Sequence, residues 1–197
     1  MAVEISYADF TITLLIVLIG FDGYRSGFFH EITTLGGFFF SLLITLISLP
    51  QASRFFYEVV QLQTNMSILM GFSSIFFIML LLYTFFLQWL NSVMKMEVVD
   101  WFNKLSGAML GIYKGTLIAS LLALGFSLLP LSDLVQEIEQ SSLFVQGIKK
   151  FLPANYDYFS RIIPGAPSFE QALKAAQSVV GALSVLTINP AASSASP

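Results

Sequence analysis

The chain has 197 residues, 56% hydrophobic and 11% charged, with a net charge of −3 and no cysteine. About a quarter of the residues of a soluble domain are charged, so this composition points to a membrane protein whose first partner is the lipid bilayer. The acidic balance, without a Lys/Arg cluster, argues against nucleic acid as a partner, and the lack of Cys excludes disulfides and thiolate chemistry.

Four stretches are predicted to cross a bilayer, at about residues 5–21, 32–49, 67–90 and 107–129, each close to the ~17–25 residues a spanning helix needs. The expected fold is all-α: a four-helix transmembrane bundle of two hairpins over 1–130, an amphipathic helical tail over 131–187, and a disordered terminus over 188–197. The first stretch is the shortest. Its uninterrupted apolar run, Phe10–Phe21, rises only ~18 Å against a hydrocarbon core of ~30 Å. It is read as a retained span and not a leader, because no Lys or Arg precedes Arg25 and no small-residue cleavage site follows. Pro50 and Pro130 are expected to close the second and fourth spans.

Between the first two spans lies "FDGYRSGFFHEI", residues 21–32. Gly23 and Gly27 are expected to let a tight hairpin turn, Arg25 to pin it to one membrane face, and Asp22 and Glu31 to face a base from another span. That base is Lys104 or, more deeply placed, Lys114, in "GAMLGIYKG" near the start of the fourth span. About 10 Å inside the helix start, it is expected to snorkel or to pair with an acid, Glu31 better than Asp22. The alternative is a solvated turn with ordinary surface charge.

Gly107, Gly111, Gly115, Ala119 and Ala123 recur every four residues. Such a row makes a groove where another helix backbone approaches closely, either within the chain or from a second subunit. Arg25, Lys95 and Lys104 fall on one side of the bilayer and only Arg54 on the other among the short loops. The basic side is therefore assigned to the cytoplasm, with both termini outside it.

In the tail, Leu131, Leu134, Val135, Ile138, Val145, Ile148 and Leu152 recur at helical steps. A further helix is predicted from Ser168, where S-x-x-Q forms a capping box. Tyr156, Tyr158 and Phe159 are expected at a membrane–water boundary. Catalytic signatures are missing: one histidine cannot form H-E-x-x-H, "GFSSI" lacks the second glycine of a nucleophile elbow, and no phosphate-binding loop occurs. His30 is read as structural or solvated, and Asp9 as a helix cap ahead of a relay carboxylate.

Asp9, then "GYRSGFFHEI", then "NKLSGAMLGIYKGTL" with Asn103, Lys104, Gly107, Gly111, Lys114 and Gly115, together resemble the colicin V production protein family over about residues 5–130. The resemblance implies four spans in the bacterial inner membrane and a part in producing or exporting that peptide toxin and in envelope homeostasis. It implies no enzymatic activity and no cofactor or metal. The expected function is a non-enzymatic scaffold that self-associates as a homo-oligomer or binds another envelope protein. The rival is a small oligomeric transporter or channel using Lys114 and its carboxylates.

Overall fold

The computed structural model describes residues 7–91, 100–129 and 142–188, and every regular element among them is helical. The helices are α1 (Tyr7–Ser26), α2 (Phe28–Val59), α3 (Thr64–Asn91), α4 (Asp100–Ser127), α5 (Leu143–Lys149), α6 (Phe151–Ser160) and α7 (Phe169–Ile188). Of these, α2, α3 and α4 are long and apolar enough to cross a membrane. The chain is therefore an all-α protein with membrane-spanning character, and α1 falls outside that set because Asp9, Asp22 and Arg25 interrupt it.

The helices overrun the expected spans. Charges bound an apolar run, but a helix continues as long as its backbone bonds and packing allow. The clearest case is Pro50, which does not end the second helix: α2 continues to Val59 with the proline inside it. Proline removes one backbone donor. The helix is supported across that point by α3, whose Gly71 lies so close that a Cβ there would sit 2.9 Å from the Ser53 nitrogen.

The packed pairs are α1 with α4 and α2 with α3, and α1 touches α2 only sparingly. The first hairpin is thus a sharp change of direction, not a packed helical pair. It turns on one residue, Gly27, at φ 82 and ψ 170, a left-handed region that favours glycine. Gly23, expected in the turn, lies inside α1 and is buried.

The core between α2 and α3 is built from large side chains. Phe38 meets Phe76 edge-on with ring centroids 5.5 Å apart, and Phe76 stacks on Phe72 at 5.6 Å. Leu42, Leu46 and Ile68 are fully enclosed beside them. Lower down, the Tyr83 ring covers Gly37, and its hydroxyl donates to the Thr33 carbonyl at 3.0 Å.

The tail folds back onto this assembly. Its expected helix reaching Leu152 is broken at Lys150 into α5 and α6, and its opening stretch, 131–141, lies outside the described residues, as do Pro130 and the terminus 189–197. α7 runs along α2, burying Ala172, Ala176 and Val180. Its start carries the reciprocal cap: Gln171 N donates to Ser168 Oγ at 3.2 Å, and Ser168 N donates to Gln171 Oε1 at 2.9 Å. Tyr156 is fully buried within the protein, with its hydroxyl donating to the Pro167 carbonyl. Tyr158 is exposed, and Phe159 stacks on Phe39 of α2 at 5.1 Å.

Candidate functional site: a buried ion pair beside a glycine seam

Three of the small residues on α4 receive α1. A Cβ at Gly111 would lie 2.8 Å from the Ile19 carbonyl oxygen and 3.1 Å from the Gly20 and Gly23 Cα atoms. At Gly115 it would meet the Ile16 Cα at 3.1 Å, and at Gly107 the Gly23 carbonyl and the Gly27 Cα. The contact is backbone on backbone, which only glycine permits. Sequence reading found the row on α4 but not its counterpart, Gly20 and Gly23 on α1; the three-residue step between them was the available signal. Ala119 is buried, whereas Ala123 is only partly so. Within this fold the groove at Gly107, Gly111 and Gly115 is filled by the chain's own first helix.

One α4 residue farther round the helix from Tyr113, Lys114 reaches α2. Its Nζ donates to Glu31 Oε1 at 2.8 Å and lies 2.6 Å from Oε2. Glu31 is 0% exposed and Lys114 8%, so the pair is taken out of solvent together. Glu31 also occupies the first turn of α2, where the helix dipole favours a negative charge. Its Oε2 makes the ion-pair contact without hydrogen-bond geometry and finds no donor among the described residues.

Asn103 completes the arrangement. Its Oδ1 accepts from the Phe28 backbone nitrogen at 2.8 Å, taking one of the orphan donors at the start of α2. Gly27 itself has no side chain to do this. The Asn103 amide lies where a Gly27 Cβ would be, 2.5 Å from Nδ2. Glycine at 27 thus serves both the turn and the cap.

The remaining candidates lie apart. Asp22, Arg25 and His30 are exposed, and Arg25 lies over the Phe21 ring at 4.5 Å. Lys104 is in the second turn of α4. Asp9 is inside the first turn of α1 and is not its cap. Its Oδ1 accepts from Ser142 Oγ, and that same oxygen caps α5 by accepting from Val145 N at 3.1 Å. Two further tail contacts had no sequence signal: Tyr113 Oη donates to Asn155 Oδ1 at 2.7 Å, and Leu152 N donates to Ser120 Oγ at 2.9 Å.

Comparison with known proteins gives one result. The family described as "Colicin V production protein" matches residues 8–153, a range holding the glycine seam, the ion pair, Asn103 and the Ser120–Leu152 contact, while Asn155 lies just beyond it. No curated protein and no solved structure matches.

Proposed function

We propose, for a chain that belongs to the colicin V production protein family, that it supports production of the toxin as a non-enzymatic inner-membrane scaffold. The family is not one of known enzymes, and its membership supports involvement in colicin V production. The observation that carries the scaffold reading is the closed Glu31–Lys114 pair. Its charges are engaged with each other and buried between helices, an arrangement suited to fixing relative helix position. With the groove on α4 occupied by α1, a partner would be met on other surfaces. The exposed apolar face of α3, with Phe77, Leu81 and Phe85, is where lipid or a second membrane protein would sit.

The test is complementation. Cells that make colicin V and lack this protein should regain toxin production with the natural chain. They should also regain it with Glu31→Leu combined with Lys114→Met, which replaces the pair with apolar side chains of similar length. Recovery with the apolar pair supports a structural role. Loss of production by that double variant at normal membrane abundance would favour the transporter reading, as would ion flux through liposomes holding the purified protein alone.

A further inference from the structure

Of the three long apolar helices, α3 is the most apolar and the least covered. It packs on α2 and lightly on α7, and among the described residues it scarcely touches α4. Between α3 and α4 lies a cavity of about 370 Å³. Packed interiors leave few voids larger than a water molecule, and this one is in the size range of ligand sites. Its walls run along α3 from Ile68 to Phe77 and along α4 from Leu121 to Leu129, about 12–14 Å of each.

The chemistry of the walls restricts the occupant. Apart from Ser73 and Ser127, every lining residue is apolar or glycine. The Ser127 hydroxyl is already engaged, donating to the Ala123 carbonyl at 2.9 Å. Such a cavity suits an apolar occupant that asks for no hydrogen bonds.

The cavity opens sideways. Phe77, Leu122 and Phe126 line it and are also exposed, so they form its mouth on the outer flank of α3 and α4. Around two membrane-spanning helices that flank is hydrocarbon. Inward from the mouth stand Phe72, stacked on Phe76, and Leu121. Leu121 is about two turns of α4 before Leu129, so the inner half of the cavity is walled by described helices.

A glycine keeps the space. Gly125 lines the cavity, and a Cβ there would meet only Leu69 Cδ1, at 3.7 Å. No backbone approach of the kind seen at Gly107, Gly111 and Gly115 requires it. Glycine inside a helix weakens that helix relative to alanine. Here the missing side chain leaves volume at the cavity wall.

We propose that the cavity between α3 and α4 holds one acyl chain of a membrane phospholipid, entering between Phe77, Leu122 and Phe126 and lying along the two helices. It rests on the reading that α3 and α4 cross the membrane, and not on the scaffold role. An acyl chain supplies the dispersion contacts that an empty slot forfeits, and it joins two helices that do not otherwise meet.

The chain has two tryptophans, Trp89 and Trp101. With both replaced by Phe, single reporters at Phe72→Trp or Phe85→Trp would be reconstituted, each in the full chain, in phosphatidylcholine bilayers with and without bromine on the acyl chains. Bromine quenches tryptophan fluorescence on contact. Phe85, 69% exposed on α3, sets the full effect. The Phe72→Trp reporter, on the inner wall, should be quenched at least half as strongly. Adding Gly125→Leu, which fills the slot, should cut that quenching by more than half and leave the Phe85→Trp reporter unchanged. An unquenched Phe72→Trp reporter overturns the proposal, because a protein segment, of this chain or of a second copy, then fills the cavity. Quenching that Gly125→Leu does not reduce overturns it as well. The comparison of the two reporters needs no change at 125, so it decides the matter even where Gly125→Leu folds poorly.

Discussion

The two main helix contacts solve the same problem with opposite materials. Between α2 and α3 the helices are held apart by large side chains, Phe38, Phe72, Phe76, Leu42 and Leu46. Between α1 and α4 glycines bring the backbones together, with the Gly111 and Gly23 Cα atoms nearly touching. Side-chain packing works by filling volume, and an altered side chain leaves a void that neighbours partly fill. Backbone packing works by absence, so any added atom meets something that cannot move. The charged residues that matter cluster at the second contact. Close backbone approach carries α4 past the start of α2, where Lys114 meets Glu31 and Asn103 meets the Phe28 amide.

The largest expected effect comes from breaking the ion pair on one side. Glu31→Ala or Lys114→Ala leaves the other charge buried and unpaired, a loss of about 3–5 kcal/mol, read as reduced folded yield in detergent and a lower thermal midpoint. A comparable truncation in the other contact, Leu42→Ala, should cost about 2–5 kcal/mol but should leave the α1–α4 contact intact to cysteine crosslinking.

Gly111→Leu should cost about 1–3 kcal/mol by overpacking and should separate α1 from α4. Lipid-side Leu81→Phe, on the exposed face of α3, should have no measurable effect on thermal stability. If both behave alike, the backbone contact is not the constraint described here.

Asn103→Ala removes the acceptor for Phe28 N and should cost about 0.5–2 kcal/mol, the range for a lost helix cap. Asn103→Asp keeps the acceptor and should recover most of that stability in the same thermal assay.

The smallest effect is confined to the tail and depends on pH. Burial, with the Asp157 carboxylate beside it, pushes the Tyr156 phenol up to about 12. The folded tail therefore holds that proton more tightly than an unfolded chain, whose phenol titrates near ~10. The stabilisation is full below ~10 and is lost as pH rises from there towards about 12. Limited proteolysis after Ser160 should accelerate across that window, and Tyr156→Phe should remove this contribution to the acceleration.

Much of this was legible in the sequence, for identifiable reasons. The glycine row on α4 shows itself by its four-residue step, and a lysine within an apolar run signals that it needs a partner. The capping box at Ser168 is a local pattern, and local patterns survive folding. What was hidden is nonlocal. Pro50 looks like a stop, and only the packing of α3 and α7 shows why α2 passes it. Gly23 looks like a turn residue because it lies among charges, yet its neighbour is Gly107 of another helix. Asn103 caps a helix that starts 75 residues earlier, and no spacing rule reaches that far. Tyr156 reads as amphipathic, but its burial depends on α7 folding back over it.

The central claim is that Glu31 and Lys114 lock the first turn onto α4. A double-mutant cycle with the exchanged pair, Glu31→Lys with Lys114→Glu, tests it most directly by thermal unfolding of the purified protein. The account predicts that the exchanged chain is more stable than either single reversal by a clear coupling energy, about 0.5–3 kcal/mol, although the reversed pair loses the favourable dipole at Glu31. Strictly additive losses, with the exchange as unstable as the sum of its two reversals, would contradict it.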